Sequence, residues 1–409
     1  MLTQILRRLR ESFETLNTSE QILVAAAIGS YVCFGLFFAA FSNTFDFGVI
    51  YDACRRVMTG DGGQLYAELF SGAARKGIVA YYYPPPAALV LIPFCIFPRA
   101  CSLAVFQIIL EAGLWGFWIL WLRTYGSRWT PEQRWRSFAL VFLFFPLYYG
   151  IWLGQTEILV IVLLLIYLRA PETPRPVAAT LALAAAIMFK TFLGILLFHL
   201  ALLRRWRDLA WTTMWLAALQ AASLAVIPLS TQLAYWRFLR QRMGMEAFYD
   251  NQSLQGVFER LLTENRFTLG FHWPLGAHLF YVVSAAGILI VYALLMWRVG
   301  RQRPWITTFS ASIVTALLIS PVTETQHLAL LLIAFLPVLM DKPSWKWVLL
   351  FGFFALFQPY VAFRYDSTER MWFFARGFWN LVYSLPAFAL AALWLRLARD
   401  MMAPSAEAV

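Results

Sequence analysis

The chain has 409 residues, of which 61% are hydrophobic, 17% aromatic and only 13% charged. A soluble domain carries about 25% charged residues, so this composition excludes an ordinary soluble protein. The net charge of +11 does not indicate a nucleic-acid partner, because the basic residues gather in short loops between apolar runs, as in the cytoplasmic loops of membrane proteins. We therefore expect an all-α polytopic membrane protein.

The first part of the chain predicts a tail, a span and a long polar loop. Residues 1–20 are typical of a basic amphipathic helix on the cytoplasmic face, or of a plain charged tail. Residues 21–41 form the first predicted span, close to the ~20 residues that a bilayer requires. A first outer loop follows at 42–83. Apolar residues at helical spacing predict a surface helix over 47–58 within it.

The remaining apolar runs predict about twelve spans in one integral membrane domain, residues 1–409, with both ends cytoplasmic. The run 84–98 starts with three prolines and is short for a span, so we interpret it as a half-span or re-entrant segment. Two pairs of short runs form hairpins with tips at Gln155 and Lys190. A second outer loop is predicted at 230–275. The spans after the half-span are 101–122, 137–153, 156–168, 177–189, 192–203, 209–229, 276–297, 304–319, 327–340, 345–361 and 374–396.

Polar side chains from distant parts of the chain meet at the outer face on this topology. Lipid does not tolerate such groups, so we expect them to line a shared cavity. The set comprises Asp46, Tyr66, the segment Tyr81–Pro86 with Tyr82 and Tyr83, Gln155, Lys190, Gln252, Glu324 and His327.

Asp46 is the candidate general base, because a carboxylate near a low-dielectric boundary can have a raised pKa and take a proton from a sugar hydroxyl. Alternatively, Asp46 caps the surface helix, since Asp is a favoured N-cap residue. Lys190 is the only lysine within an apolar run, which suits a phosphate site, unless its side chain snorkels to the interface. His327 opens a span, where a lone histidine is more often structural, and Glu324 is spaced to orient it.

Each of the other candidate residues also has a structural role as an alternative to a functional one. Gln252 follows Asn251 in the second outer loop, where amides suit either sugar recognition or helix capping. Arg364 is a second candidate for a phosphate, or a surface charge. Glu157 follows the first hairpin tip as a simple interfacial charge. The tyrosines suit sugar stacking or the interface belt. The four cysteines lack metal-site spacing and no metal-ligand cluster is evident, so we expect no metal and no cofactor.

The order of these motifs resembles glycosyltransferase family 87. The matching stretches are DFGVIYDA, YYYPP, LGQTEILV, AAIMFKTFLGILLF, NQSLQGVFERLL and SPVTETQHL. This resemblance, over about residues 43–330, implies a GT-C-type fold with an outward-facing active site. It also implies a polyprenyl-phosphate sugar donor, mannose as the expected sugar, and a glycan or glycolipid acceptor.

The resemblance further implies roles for single residues. The aspartate of the first outer loop, Asp46 by position, is the general base, and Lys190 corresponds to the family lysine at the second hairpin tip. The polar group after Ser-Pro corresponds to the Glu324–His327 region. The chain departs from the family pattern at Thr156, where the family often has Asn, and at Glu324, where it often has Trp.

Together, the residues and the resemblance predict an inverting glycosyltransferase of the bacterial inner membrane with its active site on the outer face. Asp46 activates the acceptor hydroxyl, with His327 as a second catalytic candidate, and Lys190 and Arg364 stabilise the phosphate that leaves. Membrane lipids are the remaining partners. The alternatives are a transporter or flippase of a lipid-linked sugar, and a structural subunit without activity. A transporter often shows internal repeats with polar groups at mid-depth, and the sequence shows no convincing repeat.

Overall fold

The computed structural model describes residues 11, 13–40, 45–70, 81–169, 176–240, 247–248, 250–264, 272–341, 344–356 and 378–403. Regular structure within these ranges is helical, without a strand, which confirms the all-α prediction for this part of the chain. The α-helices, in chain order, are α1 (Thr18–Ala40), α2 (Phe45–Met58), α3 (Ala67–Phe70), α4 (Pro85–Leu91), α5 (Arg99–Tyr125), α6 (Pro131–Phe142), α7 (Phe145–Leu153), α8 (Glu157–Arg169), α9 (Pro176–Phe189), α10 (Ile195–Leu202), α11 (Trp206–Leu224), α12 (Leu229–Arg240), α13 (Leu254–Leu262), α14 (Pro274–Arg298), α15 (Trp305–Ile319), α16 (Leu332–Asp341), α17 (Trp345–Leu356), α18 (Phe378–Tyr383) and α19 (Leu385–Met402).

Helix length does not confirm the predicted number of about twelve spans. Among the described residues, α1, α5 and α14 are long and apolar enough to cross a membrane alone. Helices α6 and α7 pass the same test only together, with a bend of 45° between them. Several other apolar helices have 10–17 residues, because breaks in the chain divide the apolar runs. Most of the predicted tail at 1–20 lies outside the described residues.

The first break positions Gln155. Helix α7 ends before Gly154, whose φ of +71° is a left-handed conformation that glycine adopts without strain. A Cβ on Gly154 would lie 2.7 Å from the Cβ of Phe47 in α2, so the close approach of α2 also requires glycine. Gln155 follows at the predicted tip, before α8 begins at Glu157.

The second break positions Lys190. Helix α9 ends at Phe189, and Lys190 has extended backbone angles before a 3₁₀-helix at Thr191–Gly194. Helix α9 packs against α8, so the end of α9 and the start of α8 lie side by side. The two predicted hairpin tips are therefore neighbours in the fold.

A helix, α2, is present at the position of the predicted surface helix, and Gly60, with φ of +86°, follows its end. Helix α2 packs against α4 and α5 through a buried face that includes Phe47, Ile50 and Cys54. Helix α4 begins at Pro85, since proline lacks only an N–H that the first turn leaves unbonded anyway. The short α4 therefore agrees with the short run predicted at 84–98.

Buried hydrogen bonds from Asn251 and Ser253, called the latch below, hold the tip at 320–325. The Asn251 amide Nδ2 donates to the Pro321 carbonyl at 2.9 Å, and its Oδ1 accepts from the Thr323 N–H at 2.9 Å. The Ser253 hydroxyl also donates to the Pro321 carbonyl, at 3.2 Å. Both Asn251 and Ser253 are fully buried. The latch therefore fixes the tip that leads into the 3₁₀-helix Thr325–Leu331.

Asn251→Ala removes one of the two donors to the Pro321 carbonyl and the side-chain acceptor of the Thr323 N–H. A buried polar group left unpaired costs about 1–3 kcal/mol, so we expect a clear fall in the thermal unfolding temperature of the purified protein in detergent. The matched control is Asn17→Ala, which removes an exposed helix cap that accepts from the Glu20 N–H and is worth about 1 kcal/mol. Equal unfolding temperatures for the two variants would contradict the role assigned to the latch.

Candidate active site

Gln155 links three polar side chains that come from separate segments. The Asp46 carboxylate, in the first turn of α2, accepts a hydrogen bond from Gln155 Nε2 at 2.8 Å. Gln155 Oε1 accepts from the Tyr83 hydroxyl at 2.5 Å and from Lys190 Nζ at 3.3 Å. Asp46 is thus hydrogen-bonded to a side chain that lies 109 residues further along the sequence. The structure joins the predicted base and the predicted lysine through one amide.

Lys190 is held by a buried ion pair. Its Nζ lies 2.6 Å from Glu157 Oε1, with the lysine side chain 8% exposed and the glutamate 1% exposed. The same Nζ lies 3.2 Å from His327 Nε2 and 5.2 Å from the centre of the Tyr83 ring. A buried charge requires such compensation, since burial without a partner is costly. The lysine therefore does not snorkel to an interface, because its charge is inside the protein.

Glu157 is the site residue that the sequence analysis missed. As the first residue of α8, it follows the Gln155 tip and faces Lys190 across the two adjoining helices. One signal could have found it: a lone lysine in an apolar run requires a carboxylate nearby. The sequence does not say which carboxylate that is.

The two ring nitrogens of His327 contact different groups. The Glu324 backbone N–H donates to His327 Nδ1 at 3.0 Å, so Nδ1 is an acceptor. His327 Nε2 lies 3.5 Å from Glu157 Oε1, on the side of the ring that faces the cluster. The same Nε2 lies 3.2 Å from Lys190 Nζ, so His327 is part of the polar cluster.

Burial raises the pKa of two carboxyl groups at the cluster toward neutral pH. Burial raises the pKa of Asp46 from 3.8 to about 6, while the hydrogen bond from Gln155 acts in the opposite direction. Burial, with the nearby charge of Asp46, raises the pKa of Glu324 to about 7. An acid with a pKa near 6 is ionised at neutral pH and still basic enough to accept a proton.

Two adjoining cavities lie at the cluster. A pocket of about 190 Å³ is called the polar pocket here because Gln155, Lys190, Glu324 and His327 lie in its wall. A cavity of about 900 Å³ with a mainly apolar wall lies next to it. Both cavities share five lining residues: Pro84, Thr191, Phe192, Tyr235 and Val322. The polar pocket thus opens beside a much larger apolar space.

The structure brings most of the predicted site residues together. The polar pocket is lined by six of them: Tyr82, Tyr83, Gln155, Lys190, Glu324 and His327. Asp46 lines neither cavity, is half-buried, and joins the cluster through Gln155.

The remaining predicted residues lie elsewhere. Tyr66 is buried behind the pocket, where its hydroxyl donates to the Tyr83 carbonyl at 2.7 Å. Gln252 is buried in the latch segment, where its backbone N–H donates to the Thr323 carbonyl at 2.5 Å, and it lines neither cavity. Arg364 lies outside the described residues.

Long apolar helices around a buried polar site are typical of an integral membrane protein. The family model of glycosyltransferase family 87 matches residues 81–321, more than half of the chain. The chain therefore belongs to glycosyltransferase family 87 and is a membrane glycosyltransferase, which confirms the resemblance seen in the sequence. Neither the curated proteins nor the solved structures contain a match to it. Asp46 and His327 lie outside the matched residues.

Glu157→Gln leaves the Lys190 ammonium buried without its counter-charge. Breaking a buried pair in this way costs about 3–5 kcal/mol, so we expect a large fall in the thermal unfolding temperature. The double variant Glu157→Gln/Lys190→Met removes both charges and should recover much of that loss. Asp208→Asn, at the more exposed Arg205 pair, is the control and should cost less. A double variant as unstable as the single one would show that the pair does not carry this energy.

Proposed function

We propose that this protein transfers a sugar from a polyprenyl-phosphate donor to a hydroxyl group of a glycan or glycolipid acceptor, with Asp46 as the general base. One observation carries the proposal: Asp46 is hydrogen-bonded through Gln155 to Lys190, and Gln155 and Lys190 line a polar pocket that adjoins an apolar cavity of about 900 Å³. Membership of the glycosyltransferase family supports sugar transfer in general. The adjoining cavities support a donor with a polar head and a long apolar chain.

The two cavities suit the two parts of such a donor. In this proposal the polyprenyl chain occupies the apolar cavity, whose wall includes Ile187, Leu197, Leu216 and Leu239. The phosphate and the sugar occupy the polar pocket. Lys190 supplies a positive charge there, and a positive charge binds phosphate oxygens well.

The proposed reaction is a direct displacement at the anomeric carbon. Asp46 removes the proton of the acceptor hydroxyl, whose oxygen forms a new bond to that carbon. The bond from the carbon to the phosphate oxygen breaks, and polyprenyl phosphate leaves with the electron pair. Lys190 stabilises the charge that develops on the phosphate. A single displacement inverts the anomeric configuration, whereas retention would require a second carboxylate as nucleophile.

The remaining parts of the proposal rest on the family and on the predicted topology. Mannose is the proposed sugar, and the outer face of a bacterial inner membrane is the proposed location of the site. Arg364 is a proposed second cation for the phosphate. Tyr82 and Tyr83, in the wall of the polar pocket, are proposed to contact the sugar.

Asp46→Asn should abolish sugar transfer by purified protein in lipid nanodiscs, measured with a panel of radiolabelled polyprenyl-phosphate sugars. The wild-type rate should fall as the pH decreases through about 6, because protonated Asp46 cannot act as a base. Asp52→Asn, at the more exposed acid on the same helix, is the matched control and should remain active. Transfer that persists in Asp46→Asn would reject the proposed base. A flippase would instead keep moving lipid-linked sugar after this substitution.

Ala217→Trp should fill part of the apolar cavity, because Ala217 lies in its wall. We expect KM for long-chain donors to rise about tenfold, equivalent to 1.4 kcal/mol of binding free energy, with little change for donors of one or two isoprene units. Ala218→Trp, at an exposed neighbour that does not line the cavity, is the matched control. Equal effects on short and long donors would argue against a lipid chain in this cavity.

A further inference from the structure

The amide of Gln155 has only one orientation that its partners allow. On one side it meets the Tyr83 hydroxyl and Lys190 Nζ, and on the other side it meets the Asp46 carboxylate. An ammonium group only donates hydrogen bonds, and an ionised carboxylate only accepts them. The opposite orientation would direct the amide oxygen at the carboxylate and the NH₂ group at the ammonium. Charge therefore fixes Oε1 toward Lys190 and Nε2 toward Asp46.

Lys190 and Tyr83, which orient the amide, are restrained by contacts of their own. Lys190 is anchored by Glu157 at 2.6 Å, and the Tyr83 backbone carbonyl accepts from the Tyr66 hydroxyl at 2.7 Å. The Gln155 backbone N–H donates to the Gly150 carbonyl at 2.9 Å, which closes the turn after α7. Both the backbone and the side chain of Gln155 are thus restrained. The Nε2 end of the amide is therefore pre-organised for its contact with the Asp46 carboxylate.

We propose that Gln155 is a positioning residue for the base: Tyr83 and Lys190 orient its amide, and the amide N–H holds the Asp46 carboxylate ready for the acceptor hydroxyl. This inference rests on the function proposed for Asp46. Because Nε2 binds one carboxylate oxygen, Oδ2, the other oxygen is the one that receives the proton. Glu157 acts one step further back, by anchoring the lysine.

The same hydrogen bond affects the proton affinity of Asp46. It favours the ionised carboxylate and so opposes the rise in pKa that burial causes. Its loss should therefore raise the pKa of Asp46 further. The titratable and charged groups that face Asp46 are Tyr83, Glu157, Lys190 and Glu324, whereas Arg99 of the adjoining α5 lies 3.9 Å from Asp52 instead.

The experiment compares wild type, Gln155→Leu and Tyr83→Phe as purified full-length proteins in nanodiscs. The rate of sugar transfer is measured against pH, and the infrared band of the Asp46 carboxyl group, identified by its loss in Asp46→Asn, is titrated without substrate. A hydrogen bond to a charged group is worth about 1.5–3 kcal/mol, so Gln155→Leu should raise the pKa of Asp46 by about 1–2 units. Its rate above that pKa should fall roughly tenfold or more, because the carboxylate is no longer oriented. Tyr83→Phe should shift the pKa in the same direction by less.

The control is Gln21→Leu, the same substitution at an amide that donates to the Leu16 carbonyl at the start of α1. It should leave the pKa of Asp46 and the rate profile unchanged. An unchanged pKa in Gln155→Leu overturns the inference, and if that variant does not fold, an unchanged pKa in Tyr83→Phe does so. A wild type without transfer activity rejects the proposed function instead, while the infrared titration still decides whether Gln155 holds Asp46.

Discussion

The buried ion pair between Lys190 and Glu157 is the interaction on which the site depends. Moving an ammonium group out of water costs several kcal/mol, and this cost is offset only by a well-placed partner. Glu157 Oε1 at 2.6 Å supplies that partner from the first turn of α8. The end of α9 and the start of α8 must therefore meet in one register. Any shift along the helix pair would separate the charges.

The alignment of α8 with α9 also determines where the other polar side chains of the cluster lie. With Lys190 fixed, Gln155 Oε1 has a positive partner, and the opposite end of the amide reaches Asp46. The latch at Asn251 fixes the tip that leads to His327, whose Nε2 lies near the same glutamate oxygen. Helices from the beginning, middle and later parts of the chain are thus connected through short polar contacts. The apolar helices supply the packing, and the polar contacts determine how they align.

The sequence predicted the parts of this arrangement that depend on local pattern. Apolar runs and breakers predicted the surface helix, the short helix after the prolines, and the tips at Gln155 and Lys190. The contact between the tips is a tertiary property, because Glu157 and Lys190 are far apart in sequence and nothing local pairs them. The spans were harder to count, since the break between Phe142 and Phe145 divides the run predicted as one span at 137–153 between two bent helices.

The roles of Tyr66 and Gln252 show that sequence alone does not separate a substrate contact from a structural hydrogen bond. Both are polar residues in predicted outer loops, where contact with a sugar and support of the fold require the same chemical groups. The structure shows Tyr66 hydrogen-bonded to the Tyr83 backbone and Gln252 hydrogen-bonded, through its N–H, to the tip at Thr323.

Direct displacement, as proposed here, requires the incoming hydroxyl and the leaving phosphate on opposite sides of the anomeric carbon. Gln155 has its ammonium partner at one end and its carboxylate partner at the other, so a single amide separates the group proposed to stabilise the phosphate from the group proposed to activate the acceptor.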